Sequence, residues 1–139
     1  MFFTRGIAPL GEKQSYFLHV KRHLNEHADA LATMAKTNRV CFPHGSWSNF
    51  GLHMLRFQIA HNVPTKICVW FDGGFDASTA SIGICARAYF SGQHVFEVPL
   101  LVTSRRVKAI DSYDAELQAA LCAVTQIKAL ICTLIADGL

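Results

Sequence analysis

Lys66-Ile-Cys-Val-Trp-Phe71 is a nearly continuous apolar run of strand length, closed on one side by Pro64 and on the other by Asp72-Gly73-Gly74. Apolar residues at successive positions mark a strand buried on both faces of a sheet, so this chain must cover both. Two stretches have the helical spacing to do so. From Asn25 to Lys36, Ala28, Leu31, Ala32 and Ala35 recur at helical intervals behind Asn25, a good N-cap. After Asp111 and Ser112, which also offer caps, Leu117, Ala120, Leu121, Val124, Ile127, Leu130, Ile131 and Leu134 are expected on one face, and Gly138 fits a stop. Tyr16–Val20, Ser81–Phe90 and His94–Thr103 read as further strands, the last two joined by a Ser91-Gly92 turn. Asp72-Gly73-Gly74 carries turn chemistry and is expected to end the central strand. The fold class is α/β, with helices over 25–36 and 112–135 packed on a sheet.

The 139 residues suit one domain, and 51% apolar with 17% charged residues suits a folded one. Thirteen Lys and Arg against ten Asp and Glu leave a formal +3, which permits a polyanionic partner. The five cysteines stand at 41, 68, 85, 122 and 132 with no C-x-x-C pair, which excludes a disulfide framework and favours a reducing compartment. Met-Phe-Phe-Thr-Arg lacks a secretion signal, and the uninterrupted apolar stretches fall short of the ~20 residues of a bilayer span. The expected location is therefore intracellular, cytoplasmic or nuclear, with no membrane partner. Residues 1–15, with Gly6, Pro9 and Gly11, read as an irregular arm. Residues 37–64 read as a connection, helix-like or irregular, broken by Pro43, Gly45 and Gly51, with Trp47, Phe50, Leu52, Leu55, Phe57 and Ile59 as core or interface.

Three carboxylates stand out. Asp72 follows the buried strand and precedes two glycines, where a ligand backbone or metal can approach; an ordinary Asp-Gly turn has the same sequence. Glu116 lies early in the long helix among small residues, Ala115, Ala119 and Ala120, which let that helix lie close to the sheet. The helix dipole alone would also favour a carboxylate there. Asp29 interrupts an apolar helix face, although an exposed position is equally compatible with it. Carboxylates gathered at strand ends repel one another unless a cation holds them, and such hard oxygens suit Mg²⁺ or Mn²⁺. A competing set, His23-x₃-His27 with Cys41-x₂-His44, has spacings compatible with zinc.

Val69-Trp-Phe-Asp72-Gly73-Gly74 with its following hairpin resembles the first-strand motif of the ribonuclease H family. Asp111-Ser-Tyr-Asp-Ala-Glu116-Leu-Gln-Ala-Ala-Leu121 resembles that family's first-helix motif. His19-Val-Lys-Arg22-His-Leu-Asn25-Glu-His-Ala28-Asp29-Ala-Leu31-Ala32 resembles the last strand and helix of its plant-type and retroelement members. The resemblance implies a ribonuclease H-like mixed sheet with flanking helices and two-metal hydrolysis of the RNA strand of an RNA–DNA hybrid. Asp72 would bridge ions ~4 Å apart, with Glu116 and Asp29 holding one each. Gly73, Arg22, His23, Asn25, Ser112 and Gln118 would meet nucleic acid, His23 in the place of a proton-shuttling histidine. Lys21, Arg105, Arg106 and Lys108, like Arg22, are candidates for phosphate contacts or for a solvated charged face.

The order departs from the family, because the segment like its end (16–36) precedes the segment like its beginning (65–139). This is a circular permutation within one domain or a fragmentary join. The family's strand bearing a further metal-binding Asp has no counterpart, and residues 1–28 contain no Asp. The empty slot between the strands of Val20 and Val69 could close by direct pairing of its neighbours, by insertion of the arm 1–10, or by strand exchange in a homodimer. Direct pairing is expected, because Gly6 and Pro9 interrupt the arm; metal affinity should then be weak. The alternatives to an enzyme are an inactive nucleic-acid-binding or assembly module and an incomplete fragment.

Overall fold

The computed structural model describes residues 3–7, 15–19, 25–37, 42–77, 79–92 and 94–139, the first two segments as backbone. In chain order its elements are β1 (Phe3–Ile7), β2 (Ser15–His19), α1 (Glu26–Lys36), β3 (Phe42–Trp47), α2 (Asn49–Ala60), β4 (Thr65–Asp76), β5 (Thr79–Ser91), β6 (Val95–Val107) and α3 (Ser112–Ala136). The strands form one sheet in the order β2-β1-β4-β5-β6-β3.

Every pairing among the described residues is antiparallel, which corrects the expectation of a mixed sheet. The cause lies in the connections. Tight turns join β4 to β5 and β5 to β6, and the β1–β2 pair adds to the outer edge of β4 without the long crossover that a parallel neighbour needs. The slot expected to close by direct pairing is filled by β1. Phe3 stands opposite His19 on one side and Phe71 on the other, and Ile7 opposite Ser15 and Ile67. Gly6 costs this strand a side chain but leaves its hydrogen bonds intact, and Pro9 lies beyond the paired residues. The chain's own arm thus satisfies the edge of β4 without a strand from a second copy.

β4 is also longer than expected. It runs through Asp72-Gly73-Gly74 to Asp76, and the chain turns only at Ala77, whose φ of 44° places it in the left-handed region. The stretch 37–64 forms β3 and α2. Ser48 starts α2 by accepting from the Gly51 N–H at 3.0 Å, so a residue read as a breaker lies inside a capped helix.

The two faces of the sheet differ. Ile67, Val69 and Phe71 of β4 and Ile82, Ile84, Ala86, Ala88 and Phe90 of β5 lie on one face, buried with Leu55 of α2 and Ala119, Ala123, Ile127, Leu130 and Leu134 of α3. Trp47, Leu52 and Ile59 pack at its margin, while Phe50 and Phe57 are exposed. α3 rests on alanines, so its buried stripe is rotated from the expected one: Leu117 and Leu121 face outward, 50% and 68% exposed. By length and composition α3, 25 residues whose most apolar 18-residue stretch has a mean hydropathy of 1.9, is long and apolar enough to cross a membrane; here its stripe packs on the sheet. α1 covers the opposite face. Ser104 Oγ donates to the Leu31 carbonyl, and Arg106 donates to the carbonyls of Ala35 (3.0 Å) and Lys36 (2.9 Å). Arg106, a candidate phosphate contact, thereby caps the C-terminus of α1.

Candidate carboxylate site

Asp72 faces α1. It stands opposite Gly83 of β5, and a methyl group at Gly83 would collide with the Ala28 carbonyl oxygen and lie 2.5 Å from the Ala32 nitrogen. Only a residue without Cβ lets α1 sit this low, and that brings Asp29 over Asp72. Asn25 fixes the start of the helix: it is 1% exposed, and its Nδ2 donates to the Phe71 carbonyl at 3.1 Å. The next residue along β4 does the same for the other face. A methyl at Gly73 would strike the Ala115 carbonyl and lie 2.6 Å from the Glu116 nitrogen, so α3 touches β4 backbone to backbone at the turn that carries Glu116. Asp111 caps α3 by accepting from the Asp114 N–H at 2.7 Å, which sets the helix start five residues before Glu116.

The outer edge of β4 explains how groups on opposite faces converge. β1 pairs with β4 only from Ile67 to Phe71. From Asp72 onward no strand borders that edge among the described residues, so carboxylates from both faces share the field around Asp72. Asp72 is 4% exposed. Burial, then a hydrogen bond and the charge of Asp29, and further the charge of Glu116, raise its pKa from 3.8 to about 8. At neutral pH Asp72 keeps its proton and Asp29 accepts the hydrogen bond.

Asp29 and Glu116, the other two carboxylates selected from the sequence, therefore both act on Asp72. Asp72 and Asp29 form a hydrogen-bonded pair and Glu116 is a neighbour at longer range. No group of three His, Cys, Asp or Glu gathers as a metal-holding set among the described residues. The donor chemistry nonetheless fits a hard cation: the buried carboxyl of Asp72 and the half-buried one of Asp29 are held together by a proton that Mg²⁺ or Mn²⁺ could replace.

The remaining candidates divide. Gly73 lies beside Asp72, Ser112 is exposed in the first turn of α3, and Gln118 is tied down, its Nε2 donating to the Lys108 carbonyl at 2.6 Å. Lys21, Arg22, His23 and Cys41 lie outside the described residues. The zinc reading is not supported by the described pair: His27 lines a cleft on the α1 face, whereas His44 lines one with Arg105 and Gln118 on the α3 face. Sequence reasoning missed Trp70, Arg87, Tyr89 and Glu97, which form the first of these clefts next to Asp72. A signal was present in the alternation Lys66, Cys68, Trp70, Asp72, which puts all four on one face. No family model, no curated protein and no solved structure matches this chain.

Proposed function

We propose that this chain is a divalent-metal-dependent nuclease that hydrolyses phosphodiester bonds in the RNA strand of RNA–DNA hybrids, with a ribonuclease H-like arrangement in permuted order. The observation that carries this reading is the pairing of buried Asp72 with Asp29, with Glu116 near them, where α1, α3 and the edge of β4 left without a strand among the described residues meet. Burying a carboxyl group beside other carboxyls is costly, and a fold kept for packing alone would place an apolar residue there.

Asp72 and Asp29 are the residues that would hold Mg²⁺ or Mn²⁺, with Glu116 adding negative charge to the site. When bound, the cation supplies Lewis-acid stabilisation of charge at the scissile phosphate. The chain contributes the rest. Asn25 keeps Asp29 in place through the Phe71 carbonyl, Gly83 and Gly73 let both helices close on the strand, and Asp72 holds a proton that it would give up to a bound cation. Arg105 and Lys108, with a mild excess of positive charge, favour a polyanion. An intracellular location, without a membrane partner, belongs to the same reading.

One observation favours a second reading, an inactive nucleic-acid-binding module: among the described residues no third ligand joins the pair. A gel assay with a labelled RNA–DNA hybrid separates the two. The nuclease cleaves the RNA strand in Mg²⁺ or Mn²⁺ and loses this with Asp72→Asn. Salt-sensitive hybrid binding without cleavage would select the inactive module.

A further inference from the structure

Beyond the carboxylates, the α1 face holds a cleft of about 210 Å³ lined by Asn25, His27, Trp70, Arg87, Tyr89 and Glu97. Trp70 lies two residues before Asp72 on the same face of β4, about 7 Å along the strand. Its ring and that of Tyr89 are 6.4 Å apart and inclined at 59°, so neither covers the other's face. The charges of the cleft cancel: Arg87 pairs with Glu97 at 3.5 Å, and Glu97 also lies against Tyr89. Such a lining has little to offer a phosphate, but it suits a flat, uncharged ring with donors and acceptors on its edge. In the wall, Asn25 Oδ1 is buried with no hydrogen-bond partner among the described residues, although its Nδ2 is satisfied.

We propose that this cleft receives one unpaired nucleobase, stacked on Trp70, from the strand whose phosphate meets Asp72 and Asp29. This rests on the reading of those carboxylates as a phosphodiester site and narrows its substrate. The volume holds a single base and not a base pair, so the base must lie outside a duplex stack. The preferred ligand is then a hybrid with an unpaired ribonucleotide next to the cleaved bond.

Binding measured in EDTA keeps this question apart from cleavage. Fluorescence anisotropy would compare a fully paired RNA–DNA hybrid with the same hybrid carrying one bulged ribonucleotide. The bulged probe should bind about 5- to 150-fold more tightly, the range of one base–aromatic stack. Trp70→Ala should erase the difference and Trp70→Phe keep most of it. A measurement that needs no change at Trp70 uses the Trp47→Phe protein, in which Trp70 is the sole tryptophan. Its emission should be quenched by the bulged probe and not by the paired one. Equal affinities, or no selective quenching, would overturn the base pocket even if Mg²⁺-dependent cleavage is found. A bulge preference that depends on Trp70, found without cleavage in any divalent metal, would support the pocket and remove the nuclease reading instead.

Discussion

Replacing Asp72 with Asn should stabilise the metal-free protein at neutral pH and change how its stability depends on pH. The pKa of Asp72 is raised from 3.8 to about 8, first by burial and then by Asp29. Between these values the folded chain binds one more proton than the unfolded chain. Stability from this group is fully present below pH 4 and is lost as pH rises through about 8. One proton of linkage is worth about 1.4 kcal/mol per pH unit, so the full effect between pH 5 and pH 8 is about 4 kcal/mol. Sharing of the proton with Asp29 reduces it, and a loss of about 2 to 4 kcal/mol is expected over that interval. Asn has no proton to lose and keeps a donor for Asp29, so its curve should change by less than about 1 kcal/mol in excess of the other titrating groups. Urea unfolding followed by circular dichroism, in EDTA at several pH values, measures both curves. Parallel curves for the two proteins would refute the buried, protonated state of Asp72.

Gly83→Ala should cost about 1 to 3 kcal/mol, because its methyl group meets the α1 backbone and no flexible side chain can yield. It should also lift Asp29 from Asp72, visible as a weaker pH dependence in the same urea series. Asp111→Ala removes the cap that accepts from Asp114 and should cost about 1 kcal/mol in thermal or urea unfolding.

What the sequence revealed follows the strength of local patterns. β5, β6 and the core of β4 are apolar over most of their lengths, and α1 and α3 have regular spacing, α3 with a working cap at Asp111, so their existence and approximate bounds were legible; the expected Asn25 cap of α1 instead bonds the Phe71 carbonyl. β1 was not, because Phe3–Ile7 contains a glycine and owes its place to the unpaired edge of β4, a long-range cause. α2 was hidden by Gly51, which local propensity counts against a helix and tertiary packing retains. Leu117 and Leu121 misled for a related reason. The larger apolar residues suggested the buried stripe, but the close approach at Gly73 requires alanines there.

The three carboxylates could be selected from their motifs, yet their contact depends on two glycines on neighbouring strands being placed one residue out of step in the β4–β5 register. The Trp70 cleft depends on still more: the pairing of three strands and the irregularity between Ala86 and Arg87 that brings Arg87 opposite Pro99. No single stretch of sequence contains that information.

The proposed activity depends on the exchange of a proton for a cation at Asp72 and Asp29. Calorimetric titration of Mn²⁺ at pH 7, repeated in two buffers of different ionisation enthalpy, counts the protons released on binding. Wild type should release close to one proton for the ion bound at the pair, and Asp72→Asn should release none and bind more weakly. Mn²⁺ binding without proton release, or binding unchanged in Asp72→Asn, would contradict it.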